Sequence, residues 1–510
     1  MARFEFLDIE KESRILSPSF FQQAIFDALQ ETRDNLIISA VAGSGKTTTL
    51  LEIARRSDAK RKLFLAFNKK IVSDMIEKAE DLGIYDLEIK TVHAFGYRAL
   101  AQEYGGKLDV QNWKYSDIAA AEIREKTGKV RLSKDDLALS GLAVKLLEQK
   151  RLRMWKKRSD VLDYALEIGA EIKDAREAID LMANCEIMGQ AAFFESGLVS
   201  FSDMLYLPFI HDLPSPKFDL VLLDECQDFS PLQRAIIGRY AEGARVVAAG
   251  DPRQAIYAFA AADCDSYYKV KQQFGMVEYP LSVCYRCPQI VVDQAKEIVP
   301  QIQSFSENAG GVYAEISWED AVQMAEPGDL FICRKNSPVI SFFFHLAAEK
   351  KPAMLIGKDV GQTLSGLVEK IDKKRHVEFQ EAIKDYFMKR IQEAGDPEKD
   401  DRAARAIERL REQKWCLLFL WSNIRHEGSV LAFQHEIEDL FREDRPVSQV
   451  ITLCSIHKAK GAEADRVFII NRHEMPWKQK DVEAQEQENN LLYVALTRAK
   501  KELFYFRYEV

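Results

Sequence analysis

The segment Leu36-Ile-Ile-Ser-Ala-Val-Ala-Gly-Ser-Gly-Lys-Thr-Thr48 joins a short apolar run to a glycine turn, and the helix-like Leu50-Leu-Glu-Ile-Ala54 follows it. A polyphosphate is held by backbone N–H groups that point inward from a tight turn at the positive end of a helix dipole. Gly43 and Gly45 let the backbone come that close, and Ala42, Ser44 and Thr48 complete the loop. Lys46 is long enough to reach the β- and γ-phosphates, and the Thr47 hydroxyl is placed for Mg²⁺. Ala40 stands where the usual pattern has glycine, a minor departure. The order strand, loop, helix predicts a nucleotide site.

Downstream, Lys62-Leu-Phe-Leu-Ala-Phe67 reads as a second strand, followed by helix-like sequence through Asp81. Such alternation implies a parallel sheet covered by helices, an α/β fold. From about Leu108 to Leu198 the pattern turns charged and helix-periodic. Strand character returns at Phe218–Leu223 and Ala244–Ala249, then at Gly328–Cys333, Pro352–Ile356, Val450–Leu453 and Arg466–Ile470. Residues from Gly361 to Pro446 are again helical and highly charged. This organisation predicts two α/β domains, each with a mainly helical insertion. The first takes residues 1–107 and 199–280 around an insertion at 108–198; the second takes 281–360 and 447–510 around an insertion at 361–446.

The apolar run Phe218-Asp-Leu-Val-Leu-Leu223 ends in Asp224-Glu-Cys-Gln-Asp228. Paired carboxylates at the C-terminal edge of a strand are costly to bury unless they meet a cation or move a proton. Asp224 is the candidate Mg²⁺ ligand, and Glu225 the candidate that polarises water attacking a γ-phosphate.

The whole chain sets limits on these readings. It has 510 residues with 71 Lys+Arg against 80 Asp+Glu, a net charge of -9, which argues against holding nucleic acid by bulk charge. A local basic groove stays compatible with that balance, and positive potential is expected in one channel only. The N-terminal sequence lacks the apolar region of a signal peptide, and the apolar Trp415–Trp421 is far shorter than the ~20 residues that span a bilayer. The eight cysteines form no disulfide framework and fit a reducing compartment. A cytoplasmic protein without a membrane partner is the expectation. Cys284 and Cys287 form a C-x-x-C with no second pair at zinc-ligand spacing.

With the acidic pair in place, a family resemblance becomes specific. Asp224-Glu-x-Gln-Asp228 is similar to the second motif of UvrD/Rep-type superfamily 1 helicases, and further motifs follow in order along nearly the whole chain. Pro18–Ile25 resembles the adenine-reading motif, with Gln22 as its amide. Ala66-Phe-Asn-Lys-Lys70 and Thr91-Val-His-Ala-Phe95 resemble DNA-contact motifs, and Phe201-Ser-Asp-Met204 the segment before the acidic pair. Gly250–Phe259 resembles the third motif, which implies that Gln254 senses the γ-phosphate and that Tyr257 and Phe259 stack on bases. Leu281–Pro288 resembles the fourth, with Tyr285 against adenine and Arg286 on the phosphates. Ser455–Glu463 and Tyr493–Ala499 resemble the fifth and sixth, which place Glu463 near the ribose, His457 near DNA and Arg498 as arginine finger.

The resemblance implies two RecA-like P-loop domains that close on ATP and Mg²⁺ and step 3′ to 5′ along single-stranded DNA, unwinding duplex at single-strand/duplex junctions. Lys46, Asp224, Glu225, Gln254, Arg286 and Arg498 would carry the catalysis. Phe67, Thr91, His93, Tyr257, Phe259 and His457 would face DNA. Taken alone, Tyr257 and Phe259 read as core or interface aromatics, Phe67 is balanced between the two, and His93 and His457 read as surface or capping residues. The basic run Lys150–Arg158 is either a solvated helix face or a phosphate contact. Partners implied are single-stranded DNA and repair or recombination proteins, with the chain a monomer or weakly self-associating. Two other readings stay open: a DNA-stimulated ATPase that strips proteins from single strands, and an ATP-gated subunit that recruits or regulates a nuclease or repair complex. Cys284, Ala260–Ala262 and Asn489-Asn490 depart from the family pattern, and the sequence ends soon after the sixth motif, which predicts no C-terminal nuclease.

Overall fold

The computed structural model describes residues 18–66, 69–214, 216–256, 265–371, 379–397, 401–424, 426, 429–442, 445–479 and 481–509. Two six-stranded sheets organise them. The first holds β1 (Leu36–Ala40), β2 (Lys62–Ala66), β3 (Leu87–Thr91), β4 (Leu220–Leu223), β5 (Arg245–Gly250) and β6 (Val277–Leu281). Their spatial order is β3-β2-β4-β5-β1-β6, and every neighbouring pair is parallel. The second holds β7 (Val312–Glu315), β8 (Leu330–Cys333), β9 (Ala353–Ile356), β10 (Ile451–Ser455), β11 (Ala464–Ile470) and β12 (Ala499–Phe506), again all parallel, in the order β7-β12-β11-β8-β10-β9.

The apolar runs become central strands because a parallel sheet covered on both faces buries every residue. Along β1 the side chains alternate between two cores. Leu36, Ile38 and Ala40 pack with Leu50, Phe64 and Leu222, whereas Ile37 packs with Leu63, Val221 and Phe95 on the other face. The core of the second sheet around Leu330, Ile332, Val467 and Tyr493 takes in Val41, Ala42 and Ile256 from the first. The two halves therefore meet through packed apolar side chains beside the glycine turn.

Helices Lys114–Thr127, Lys134–Arg153, Arg158–Glu167 and Ile172–Ser196 form the first insertion around a core of their own that includes Tyr115, Leu146 and Met182. A two-residue parallel pairing of Asp109–Val110 with Leu198–Val199 ties its ends together. The second insertion differs. Phe379, Phe387, Leu417, Leu420 and Phe433 share one continuous core with Phe331, Phe342 and Phe468 of the second sheet and its covering helix. Trp415–Trp421 lies inside helix Asp401–Asn423, with Cys416, Leu417 and Leu420 buried. Among the described residues no helix is long and apolar enough to cross a membrane.

Candidate active site

β1 lies between β5 and β6, and its C-terminal end runs through the glycine turn into helix Lys46–Arg56. Gly43 and Gly45 both adopt positive φ, 67° and 79°, which glycine takes without strain. Gly45 caps the helix without a side-chain hydrogen bond, so the first backbone N–H groups of that helix face the turn. The two glycines serve different ends. A Cβ on Gly45 would meet nothing within 4 Å, whereas one on Gly43 would lie 2.5 Å from Arg286 Cβ and 3.2 Å from Cys284 Sγ. Gly43 is thus also the point where the fourth motif presses on the loop, and the Tyr285 N–H donates to the Gly43 carbonyl at 2.9 Å.

The acidic pair sits two strands away, at the end of β4. Asp224 accepts a hydrogen bond from the Thr47 hydroxyl at 2.8 Å and is 2% exposed. Burial, then the charge of Glu225, pushes its carboxyl up to about 6 against the opposing pull of Lys46. Glu225 lies 3.5 Å from Lys46 and accepts from the Gln227 amide at 2.6 Å. Burial works to raise its pKa, but Lys46 and Lys460 overcome that and hold it below the usual carboxylate range. Its backbone is left-handed, φ 52°, a conformation that costs a non-glycine residue about 1–2 kcal/mol and persists where the surrounding structure over-determines it. For Lys46, burial lowers the pKa, yet Glu225, Asp251 and Asp224 together raise it above the ordinary lysine value.

The second half supplies the facing cations. Arg286 pairs with Glu463 at 2.6 Å and donates to the Thr497 carbonyl at 3.2 Å. Glu463 also meets Lys500 at 2.6 Å. Arg498 is 1% exposed, donates to the carbonyls of Val494 at 2.9 Å and Ala462 at 3.2 Å, and reaches the Gln254 amide oxygen at 3.5 Å. Burial and then Arg286 lower its pKa to about 10, so it stays charged at neutral pH. Gln254 in turn donates to Asp251 at 2.8 Å.

These residues fit a magnesium–nucleotide complex. Ser44 Oγ and Arg286 Nε are buried without a hydrogen-bond partner among the described residues. Buried polar groups left this way cost about 1–3 kcal/mol each, and phosphate oxygens would satisfy both. No group of three or more His, Cys, Asp or Glu among the described residues could hold a metal by itself. Thr47 and Asp224 would share Mg²⁺ with the phosphates, as suits an ion that keeps few protein ligands.

Other sequence-predicted residues fall in varied places. Gln22 is the third residue of a capping box: its amide oxygen accepts from Ser19 N–H at 3.0 Å and its amide nitrogen donates to Thr49 at 3.1 Å. The Tyr285 ring packs on Phe305 at 4.9 Å. Thr48 is exposed. The Thr91 hydroxyl caps helix Val92–Tyr104, accepting from Ala94 N–H at 3.1 Å. The His93 ring lies 4.6 Å from that of Phe201, and burial lowers its pKa to about 4. Burial, with Arg334 and Lys458 nearby, lowers that of His457 to about 3. Phe67, Tyr257 and Phe259 lie outside the described residues. The basic run is neither wholly solvated nor free. Arg151 is 1% exposed and bound to Asp203, Lys150 pairs with Glu186, and Arg158 pairs with Asp180 at 2.6 Å.

Sequence reasoning passed over the residues that join the halves. Lys460 contacts Asp228 at 2.6 Å and donates to the Gln254 carbonyl at 2.6 Å. The Ala42 N–H donates to the Tyr493 hydroxyl at 2.8 Å. Both Lys460 and Tyr493 stand inside motifs already quoted, and motif membership was the one signal available. Within the second half, Trp477 lies under Arg334 and Lys335, 5.0 and 4.8 Å from its ring, with no sequence signal at all.

Residues 21–275, half of the chain, match the UvrD/REP helicase N-terminal domain, and residues 357–509 match the UvrD-like helicase C-terminal domain. The chain is 25% identical over 260 residues to F-box DNA helicase protein 1 of Schizosaccharomyces pombe, covering 48% of this chain and 29% of that protein. It is 49% identical over 61 residues to the probable DNA helicase II homolog of Mycoplasma pneumoniae, covering 11% of this chain and 8% of that protein. The matched part is thus less than a third of either relative's length. The arterivirus nonstructural protein 10 (helicase) crystal structure aligns with 94% of this chain and 62% of its own at 11% identity and a TM-score of 0.35, too low to carry an argument.

Proposed function

The chain belongs to the UvrD/REP helicase family, and on that premise we propose an ATP-dependent motor that moves 3′ to 5′ along single-stranded DNA and unwinds duplex ahead of it. One observation carries the reading. Lys46, Thr47, Asp224 and Glu225 come from the first half, Arg286 and Arg498 from the second, and Gln254 reaches from the first toward Arg498 at 3.5 Å. Phosphoryl transfer is catalysed mainly by positioning and by positive charge around the γ-phosphate, and this arrangement supplies both.

Lys46 would hold the β- and γ-phosphates and Glu225 would orient the attacking water; its depressed pKa keeps it an anion for that task. Thr47 and Asp224 would hold Mg²⁺, which would supply positive charge against the phosphates. Arg286 would exchange Glu463 for phosphate oxygens, leaving Glu463 to the ribose. Because the cations belong to the other half, ATP favours a closed cleft and its hydrolysis releases it. Residues 1–107 with 199–280, and 281–360 with 447–510, would be the two motor domains, with the helical insertions at 108–198 and 361–446. His93 and His457 would meet DNA on opposite halves, so that closure becomes a step.

The test is ATP turnover with no nucleic acid, single-stranded DNA, duplex DNA and RNA, followed by unwinding of 3′-tailed and 5′-tailed duplexes. Stimulation by single-stranded DNA and unwinding from the 3′ tail are expected. Turnover indifferent to every nucleic acid would remove the motor reading. Strong stimulation without unwinding would leave protein displacement, and weak turnover throughout would leave a regulatory subunit.

A further inference from the structure

Tyr493 lies in helix Val482–Leu496 of the second half, is 0% exposed, and has its hydroxyl in the first half's active site. The oxygen accepts from the Ala42 N–H of the phosphate loop at 2.8 Å and lies 3.3 Å from Asp251 Oδ2, to which it donates. Both partners belong to the first sheet's loops, so this one phenol touches the two halves at once. Asp251 also accepts from the Gln254 amide at 2.8 Å, and its other oxygen accepts from Arg253 N–H at 3.0 Å. Five residues after Tyr493 comes Arg498, whose guanidinium is tied back to the Val494 carbonyl on the same helix end at 2.9 Å.

We propose that Tyr493 is a positioning residue that registers closure of the cleft, its hydroxyl docking on the phosphate loop and on Asp251 so that Arg498 and Gln254 arrive together. This rests on the reading of the cleft as an ATP site. Packing alone does not call for the hydroxyl: phenylalanine would fill the same space against Cys284, Cys287 and Val41. A buried hydroxyl without partners is costly; the phenol is satisfied where the halves meet, by Ala42 and Asp251, and would be satisfied by water were the halves to part. Any arrangement between them leaves it unpaired. That makes the contact two-state, which a smooth apolar surface would not be. Burial also holds the phenol proton far above the physiological range, so the donor to Asp251 is always present.

The experiment uses the full chain and its Tyr493→Phe variant, each carrying a fluorescent donor on one half and an acceptor on the other, titrated with Mg²⁺ and a non-hydrolysable ATP analogue. The variant is expected to bind the analogue within about twofold of wild type but to close to a several-fold smaller extent. With ATP, kcat is expected to fall about tenfold at nearly unchanged KM, because positioning is lost rather than ground-state binding. Thermal unfolding should move by no more than about 1–2 °C. Equal closure and equal kcat would overturn the proposal. So would a large fall in unfolding temperature with kcat and KM changing together, which would mark a merely structural hydroxyl. If wild-type turnover proved indifferent to DNA, the translocase reading would fall, while analogue-driven closure would still decide the role of Tyr493.

Discussion

The Thr47 hydroxyl at the start of the helix after β1 donates a 2.8 Å hydrogen bond to Asp224 at the end of β4. In the sheet these strands are separated by β5, so the pair exists only because a parallel sheet brings all its C-terminal ends to one edge. Thr47→Val, which keeps the shape and removes the oxygen, should raise the Mg²⁺ concentration for half-maximal ATP turnover about tenfold or more. The requirement should also be pH-dependent. With Asp224 pushed up to about 6, protons compete with the metal below that value, so Mg²⁺ titrations at pH 5.5 should need more metal than at pH 7.5. An unchanged requirement would place the metal elsewhere.

The same shift implies that Asp224 burdens the fold. Between the unfolded carboxyl value of about 3.9 and about 6, the folded chain holds a proton that the unfolded chain has lost, so stability falls as pH rises through this window. Above it the full penalty applies, on the order of 1–3 kcal/mol. Asp224→Asn should therefore unfold at a higher temperature than wild type at pH 8 and at the same temperature near pH 4, while losing turnover. Calorimetry across that range checks the sign.

Arg498 is expected to act by geometry as well as charge. It makes hydrogen bonds to the carbonyls of Val494 and Ala462 and to Thr497 in addition to facing Gln254. A lysine keeps the charge but not the planar fork. Arg498→Lys should lower kcat at saturating single-stranded DNA by about 100-fold or more, with analogue binding retained within a few-fold.

His93 and His457 are both held neutral across pH 5 to 8 by burial, their values lowered to about 4 and about 3. Any contact they make with DNA is through shape, stacking and hydrogen bonding. Replacing either by alanine should weaken single-stranded DNA binding by about tenfold and leave the slope of log affinity against log salt unchanged. Anisotropy titrations at several salt concentrations would expose a charged contact as a reduced slope.

Asp203 anchors the first insertion. It accepts from Lys114 at 2.7 Å, Arg151 at 3.0 Å and Tyr115 at 2.6 Å, and all four side chains are buried. Asp203→Ala takes the paired carboxylate from buried Lys114 and leaves Arg151 with Glu186 at 3.7 Å, a loss of about 3–5 kcal/mol for a broken buried pair. We expect hydrogen exchange to rise in helices Lys114–Thr127 and Lys134–Arg153 before the second sheet is affected. Uniform exchange would mean that the insertion does not unfold as a unit.

The strands that could be read in advance were the buried ones. β1, β2, β4, β5, β8, β9, β10 and β11 are apolar runs with turn signals around them, and each formed within a residue or two of its reading. The strands that went unread are β3, β6, β7 and β12, of which three lie at sheet edges. Leu87-Glu-Ile-Lys-Thr91 and Ala499-Lys-Lys-Glu-Leu-Phe-Tyr-Phe506 carry charges at exposed positions, Lys90 in the one and Lys500 and Lys501 in the other, and that mixture is not distinctive. The ordered motifs pointed to the cleft residues, but not to their partners.

Local chemistry, written in residue order, was enough for the nucleotide loop, the acidic pair, the alternation of strand and helix, and the family. A turn, a strand end and a helix start are each set by a handful of adjacent residues. Contacts set by the long-range fold were not readable. Gly43 is glycine as much for Arg286 as for a phosphate, and the Gln22 amide is held by its own capping box and Thr49. Arg151 serves a buried carboxylate, and the Ala42 N–H belongs to a tyrosine 451 residues away. Such pairings depend on which strand ends share one sheet edge and on how two sheets close over them. No spacing along the chain records that.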